Sequence, residues 1–204
     1  MKSLKILKSI SLALVLMAGT TSFAQEMSTK KDKKMMKEKM MNMDTKMVGG
    51  AEMYPTKDII SNAVNSKDHT TLVAAVKAAG LVETLQGKGP FTVFAPTNEA
   101  FDKLPEGTVS SLLMTENKMK LQSVLTYHVL AGKYNAKDIV KAIKKGKGKA
   151  EFTTVNGAKL TAMLDGTILK LKDGSGNIST VTIPDVNQSN GVIHVVDTVV
   201  LPGM

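Results

Sequence analysis

The chain has 204 residues, a formal charge of +9, 4% aromatic residues and neither cysteine nor tryptophan. Disulfides, a cysteine nucleophile and thiolate metal sites are therefore excluded, and stacking platforms for sugars or bases are poorly supplied. The basic balance favours anionic surfaces without selecting any particular one, so no specific nucleic-acid partner is expected.

Residues 1–24 read as a secretory signal peptide. Lys2, Lys5 and Lys8 precede an apolar run from Ile10 to Ala18, and Ser22-Phe23-Ala24 supplies the small-residue cleavage site. The run falls short of the roughly 18 apolar residues that a membrane span needs. With no cysteine to acylate, neither a span nor a lipid anchor is expected, and the mature chain is placed in the periplasm or outside the cell. Residues 25–53 are dominated by lysine and methionine, without a β-branched or aromatic core, and read as a disordered or transiently helical spacer. Thioethers are soft ligands for Cu(I), so Met35, Met36, Met40, Met41 and Met43 form a candidate copper-binding cluster. A folded domain is expected from Tyr54 to Met204.

In that domain Ile59, Ile60, Ala63 and Val64 share one helical face, as do Leu72, Val73, Val76 and Ala79. Thr56 and Thr70 are candidate caps, and Gly80 a candidate terminator. A short helix over 81–85 follows. Residues 90–95 then read as a buried strand, after which Thr97 caps a helix carrying Phe101 and Leu104. Further helices are expected from Thr108 and over 119–125. Beyond Glu151 the period changes to two, with turns at Asn156-Gly157, Asp165-Gly166 and Asp173 to Asn177. Helices gathered before strands define an α+β domain in which an N-terminal helical layer packs on antiparallel sheets formed mainly by the C-terminal half.

No zinc-binding His-Glu-x-x-His, nucleophile elbow or phosphate loop is present. His194 and Asp197 stand three apart on an expected strand, so they face opposite sides and make no acid–base pair. His194 lies among apolar residues and reads as a core-edge histidine bonded to backbone, as does His128 beside Tyr127. Asn190-Gly191 reads as a tight turn whose residues tolerate positive φ. Asp173, Ser175 and Asn177 have the alternating oxygens of a calcium loop, but Pro184 stands where the bidentate Glu belongs, and a hairpin tip is expected. Lys137, Lys141, Lys144, Lys145, Lys147 and Lys149 form a candidate anion-binding patch.

Three stretches occur in fixed order: Gly89-Pro90-Phe91-Thr92-Val93-Phe94-Ala95-Pro96-Thr97, then Leu125-Thr126-Tyr127-His128-Val129-Leu130, then Asn190-Gly191-Val192-Ile193-His194-Val195-Val196-Asp197. Together they make the segment from Tyr54 to Pro202 resemble the fasciclin-type domain, a secreted adhesion module. The resemblance implies that Tyr127, His128 and His194 are structural. It also implies that Asp185 and Val186, matching an Asp–aliphatic pair implicated in integrin recognition in animal members, contact a partner; the charge pattern, independently of the resemblance, adds Lys141, Lys144 and Lys145 as an electrostatic aid. The function it implies is non-enzymatic adhesion or matrix association with protein or polysaccharide partners, without a cofactor. The alternative is an extracytoplasmic binding protein, either for copper through the methionines or for a small ligand held between helices and sheet.

Overall fold

The computed structural model describes residues 45–203. The expected signal peptide and the Met35 to Met43 cluster lie outside them. The first element is a hairpin within the stretch that composition assigns to the spacer. Strands β1 (Lys46–Val48) and β2 (Ala51–Met53) pair antiparallel, and Gly49 and Gly50 supply the two positive φ angles, 58° and 75°, of the turn. Val48 and Met53 are buried in the main core. Two apolar side chains and a Gly-Gly turn suffice to hold this hairpin once a core exists to receive them, which a compositional reading of 25–53 does not anticipate.

The helical layer follows as α1 (Ile59–Ala63), α2 (Thr70–Ala79) and α3 (Val82–Gln86). Asp58, not Thr56, caps α1, accepting from the Ser61 amide at 2.9 Å. Thr70 is already inside α2, whose N-terminus is capped from a distant part of the chain: Asn98 Oδ1 accepts from the Thr71 amide at 3.0 Å. Gly80 ends α2 in the left-handed conformation, φ 71°. Strand β3 (Phe91–Pro96) leads into α4 (Asn98–Asp102), with Thr97 as its cap. Next come α5 (Thr108–Leu112), α6 (Lys118–Tyr127), β4 (Val129–Ala131) and α7 (Ala136–Lys145). The second half is a meander of β5 (Lys149–Thr153), β6 (Lys159–Asp165), β7 (Ile168–Lys172), β8 (Ile178–Gln188) and β9 (Gly191–Val196).

The fold is α+β, and its seven-stranded sheet has the order β4-β3-β9-β8-β7-β6-β5. It differs from the antiparallel expectation at one ladder. β3 and β9 run parallel, Phe91 opposite Gly191 through Pro96 opposite Val196. All six residues of β9 are buried, as expected for a strand covered on both faces. Gly191 is required there, although not for a left-handed turn: neither Asn190 nor Gly191 has positive φ. A Cβ on Gly191 would lie 2.1 Å from the Phe91 carbonyl oxygen, so only glycine lets the two strands meet. One core cluster lies under the helical layer and includes Ile60, Leu72, Val93, Leu125 and Ile193. A second lies between α7 and the meander and includes Phe94, Ile139, Ile143, Leu160 and Leu171.

Truncation of the chain to start at Tyr54 should lower its urea midpoint, and Met53→Ala alone should cost about 3 kcal/mol. Equal midpoints for the truncated and longer chains would show that the hairpin adds nothing to the core.

Candidate functional site

Strand β9 and the bulged part of β8 hold one end of α7. The β8–β9 register shifts twice, between Val181 and Ile183 and between Ile183 and Val186. In the second shift Asp185 adopts φ 57°, a strained conformation that asparagine and aspartate tolerate better than most residues. Its Oδ1 accepts from the Ala136 amide at 2.6 Å, placing a carboxylate on the N-terminus of α7, where the helix dipole favours it. Asp138, the third residue of the helix, bonds back to the Asn135 amide at 3.1 Å. Asp185 is thus a positioning residue for α7, half-buried beneath the helix start. The following Val186 is 1% exposed. The bulge thus turns the Asp185 carboxylate to the helix and Val186 into the core.

The histidines are tied into the same framework. His194 Nε2 donates to the Tyr134 carbonyl at 2.8 Å, while Nδ1 accepts from the Asp185 amide at 3.3 Å. Its ring stacks on Phe94 with centroids 5.6 Å apart. His128 takes the opposite tautomer: Nδ1 donates to the Val124 carbonyl at 2.8 Å and Nε2 accepts from the Val200 amide at 3.2 Å. His69 shares a 2.9 Å bond between Nδ1 and Ser66 Oγ. Burial pushes all three pKa values down, that of His128 to about 4. His128 and His194 thus have both ring nitrogens occupied by backbone, and all three rings are buried and favoured neutral.

Tyr127, beside His128, is a clamp: its hydroxyl donates to the Lys159 carbonyl at 2.7 Å and accepts from the Gly174 amide at 3.0 Å. Asp173 sits below this loop. Its carboxylate accepts from the amides of Ser175, Asn177 and Leu201 at 2.8–2.9 Å, and from Asn177 Nδ2 at 3.1 Å. The loop is thereby tied to the chain beyond β9. Asn190 ties three segments together. Its Oδ1 accepts from the Ile59 amide at 3.1 Å, and Nδ2 donates to the Leu85 and Gly87 carbonyls, both at 2.8 Å.

Among the described residues no group of three His, Cys, Asp or Glu side chains converges to hold a metal ion, and no helix is long and apolar enough to cross a membrane. Between the helical layer and the sheet lies an apolar cavity of about 80 Å³, lined by Val48, Met53, Ile60, Leu72, Val93 and Ile193 among others. It is well below the roughly 300 Å³ at which ordinary ligand pockets begin. The lysine series reaches solvent: Lys137, Lys141, Lys144, Lys145, Lys147 and Lys149 are all exposed, and Lys133, which the spacing did not single out, is exposed beside them. Helical spacing found Lys137, Lys141 and Lys144; Lys145, expected in the Gly-rich loop, is the last residue of α7. The role of Asp185 in setting that helix has no local signal, since its partner is 49 residues away.

A sheet with one parallel ladder, two buried histidines bonded to backbone and a helical layer over its first half define the architecture of the fasciclin fold. The chain belongs to the fasciclin-domain family, whose model matches residues 67–202. It is 48% identical over 148 residues to protein sll1483 of Synechocystis, covering 72% of this chain and 74% of that one. It is 35% identical over 149 residues to the cell surface glycolipoprotein MPB83 of Mycobacterium bovis, covering 71% of this chain and 60% of that one. Among solved structures it resembles a FAS1 domain pair from the insect cell adhesion molecule fasciclin I, with a TM-score of 0.65 at 20% identity. That match covers 72% of this chain and about half, 52%, of the insect one.

Because the folded pKa values of the histidines lie below the ordinary value near 6.5, the unfolded chain binds more protons below that pH. Stability is then complete above about pH 6.5 and falls as pH drops towards 4, with His128 alone accounting for roughly 3 kcal/mol. Urea titrations across this range should show the decline, and His128→Gln should flatten it; a flat wild-type profile contradicts neutral burial. Asn190→Ala orphans one buried amide and two carbonyls and should cost about 3 kcal/mol in the same assay at pH 7.

Proposed function

We propose that the protein is a secreted, non-enzymatic adhesion module that associates the cell surface or its matrix with protein or polysaccharide partners. The observation that carries this reading is membership of the fasciclin-domain family, with relatives whose names place them at the cell surface and among cell adhesion molecules. The internal chemistry supports it. All three histidines are buried, and His128 and His194 have both ring nitrogens committed to backbone bonds, so the groups free to meet a partner lie on the outside.

The test is binding of the purified mature chain to producer cells and to their extracted matrix, against an unrelated protein of similar size and charge. Saturable binding well above that of the control is expected. Binding that rises linearly with concentration, or equals the control, overturns the reading.

A further inference from the structure

Resting on that adhesion reading, we infer that the outer face of α7 and the Gly146–Lys149 turn form a binding surface for a linear acidic polysaccharide. Residues 133–149 hold seven lysines and one acid, Asp138, while the rest of the described chain has eleven lysines and thirteen acids. The positive charge of the folded domain is therefore local. Ile139 and Ile143 anchor the inner face of α7 in the second core cluster. Lys137, Lys141 and Lys144 consequently project along one outer stripe about 10 Å long, at the rise of an α-helix. Among the described residues no carboxylate lies within ion-pairing distance of any of the seven lysines. The single acid, Asp138, is held by the Asn135 amide.

Three features of this segment work against local stability. Lys137 with Lys141, and Lys141 with Lys145, are like charges four apart on a helix, where repulsion is destabilising. Lys147 has φ 55°, a left-handed conformation that glycine adopts without strain, and it lies between two glycines. The helix dipole accounts for Lys144 and Lys145 in the last turn. It does not account for Lys133, Lys137, Lys147 or Lys149. A cation kept where glycine fits better, beside a helix already crowded with cations, points to a ligand that needs the charge.

The surroundings select the class of polyanion. The large apolar side chains that reach solvent, such as Val64, Met119, Val155 and Ile168, all lie outside 133–149, so nothing beside the lysines is placed to enter a bilayer. The nearest rings, Tyr134 and Phe152, pack edge to face at 5.4 Å and are half-buried, which leaves no platform for bases. The chain contains no arginine, so this face attracts anions through lysine point charges and not through the bidentate fork that fits carboxylate or phosphate. Flexible point charges along a stripe suit carboxylates repeated along a sugar chain.

The experiment uses the full mature chain and polygalacturonate as the probe, with dextran, phosphatidylglycerol vesicles and duplex DNA in parallel. Saturable binding to polygalacturonate and none to dextran are expected, weakening at least about tenfold between ~50 and ~250 mM salt. The triple variant Lys137→Glu/Lys141→Glu/Lys144→Glu should abolish it, whereas Lys77→Glu/Lys88→Glu/Lys120→Glu, of equal net charge, should retain most of it. Lys147→Gly should raise the melting temperature yet weaken binding severalfold, opposite directions that a purely structural lysine would not produce. Equal losses in the two triple variants, or tighter binding to vesicles or DNA than to polygalacturonate, would overturn the assignment. Matrix binding that persists in the α7 triple variant would also overturn it while leaving the adhesion reading intact; absence of matrix binding in the wild type beside saturable polygalacturonate binding would do the reverse.

Discussion

The structure depends on the burial of β9 on both faces. A strand with parallel β3 on one side and antiparallel β8 on the other has its backbone amides and carbonyls satisfied by the ladders, so its side chains are free to fill both core clusters. Ile193 and Val195 enter one and Val196 the other. The single polar ring in this strand, His194, is acceptable because both nitrogens find backbone partners; an unpaired imidazole at that depth would carry the full cost of desolvation. The close approach that makes the parallel ladder possible is set by Gly191, where no side chain fits.

From this strand the organisation spreads outwards through a short series of bonds. His194 receives the Asp185 amide, Asp185 caps α7, and α7 turns its isoleucines inwards and its lysines outwards. The strained φ of Asp185 is held by interactions on both sides, to β9 and to the helix. A buried, uncharged framework thereby fixes the direction of an exposed, charged face. The histidines belong to the framework, and the surface belongs to the lysines.

Much of this was legible along the chain because it rests on local physics. Period and turn chemistry located the helices from α1 to α6 and the hairpins of the second half; the three ordered stretches around Phe91, His128 and His194 carried the family resemblance. The misplacements share one cause, which is dependence on distant partners. Thr70 resembled a cap, yet α2 is capped by Asn98 from another helix. The bulge in β8 that sends Asp185 to the start of α7 and Val186 into the core likewise has no local signal. The hairpin over 46–53 has too little apolar content to announce itself, and is stabilised by a core assembled from residues further on.

The amino-acid sequence by itself determined the class of fold, the absence of disulfides and the concentration of lysine after residue 133, since each follows from composition or short-range periodicity. Tertiary structure alone decided that β3 and β9 run parallel, that Gly191 serves close approach and not a left-handed turn, and that Asp185 orients the helix bearing those lysines. These depend on contacts between segments dozens of residues apart, where the energetics of burial and backbone satisfaction outweigh any local preference.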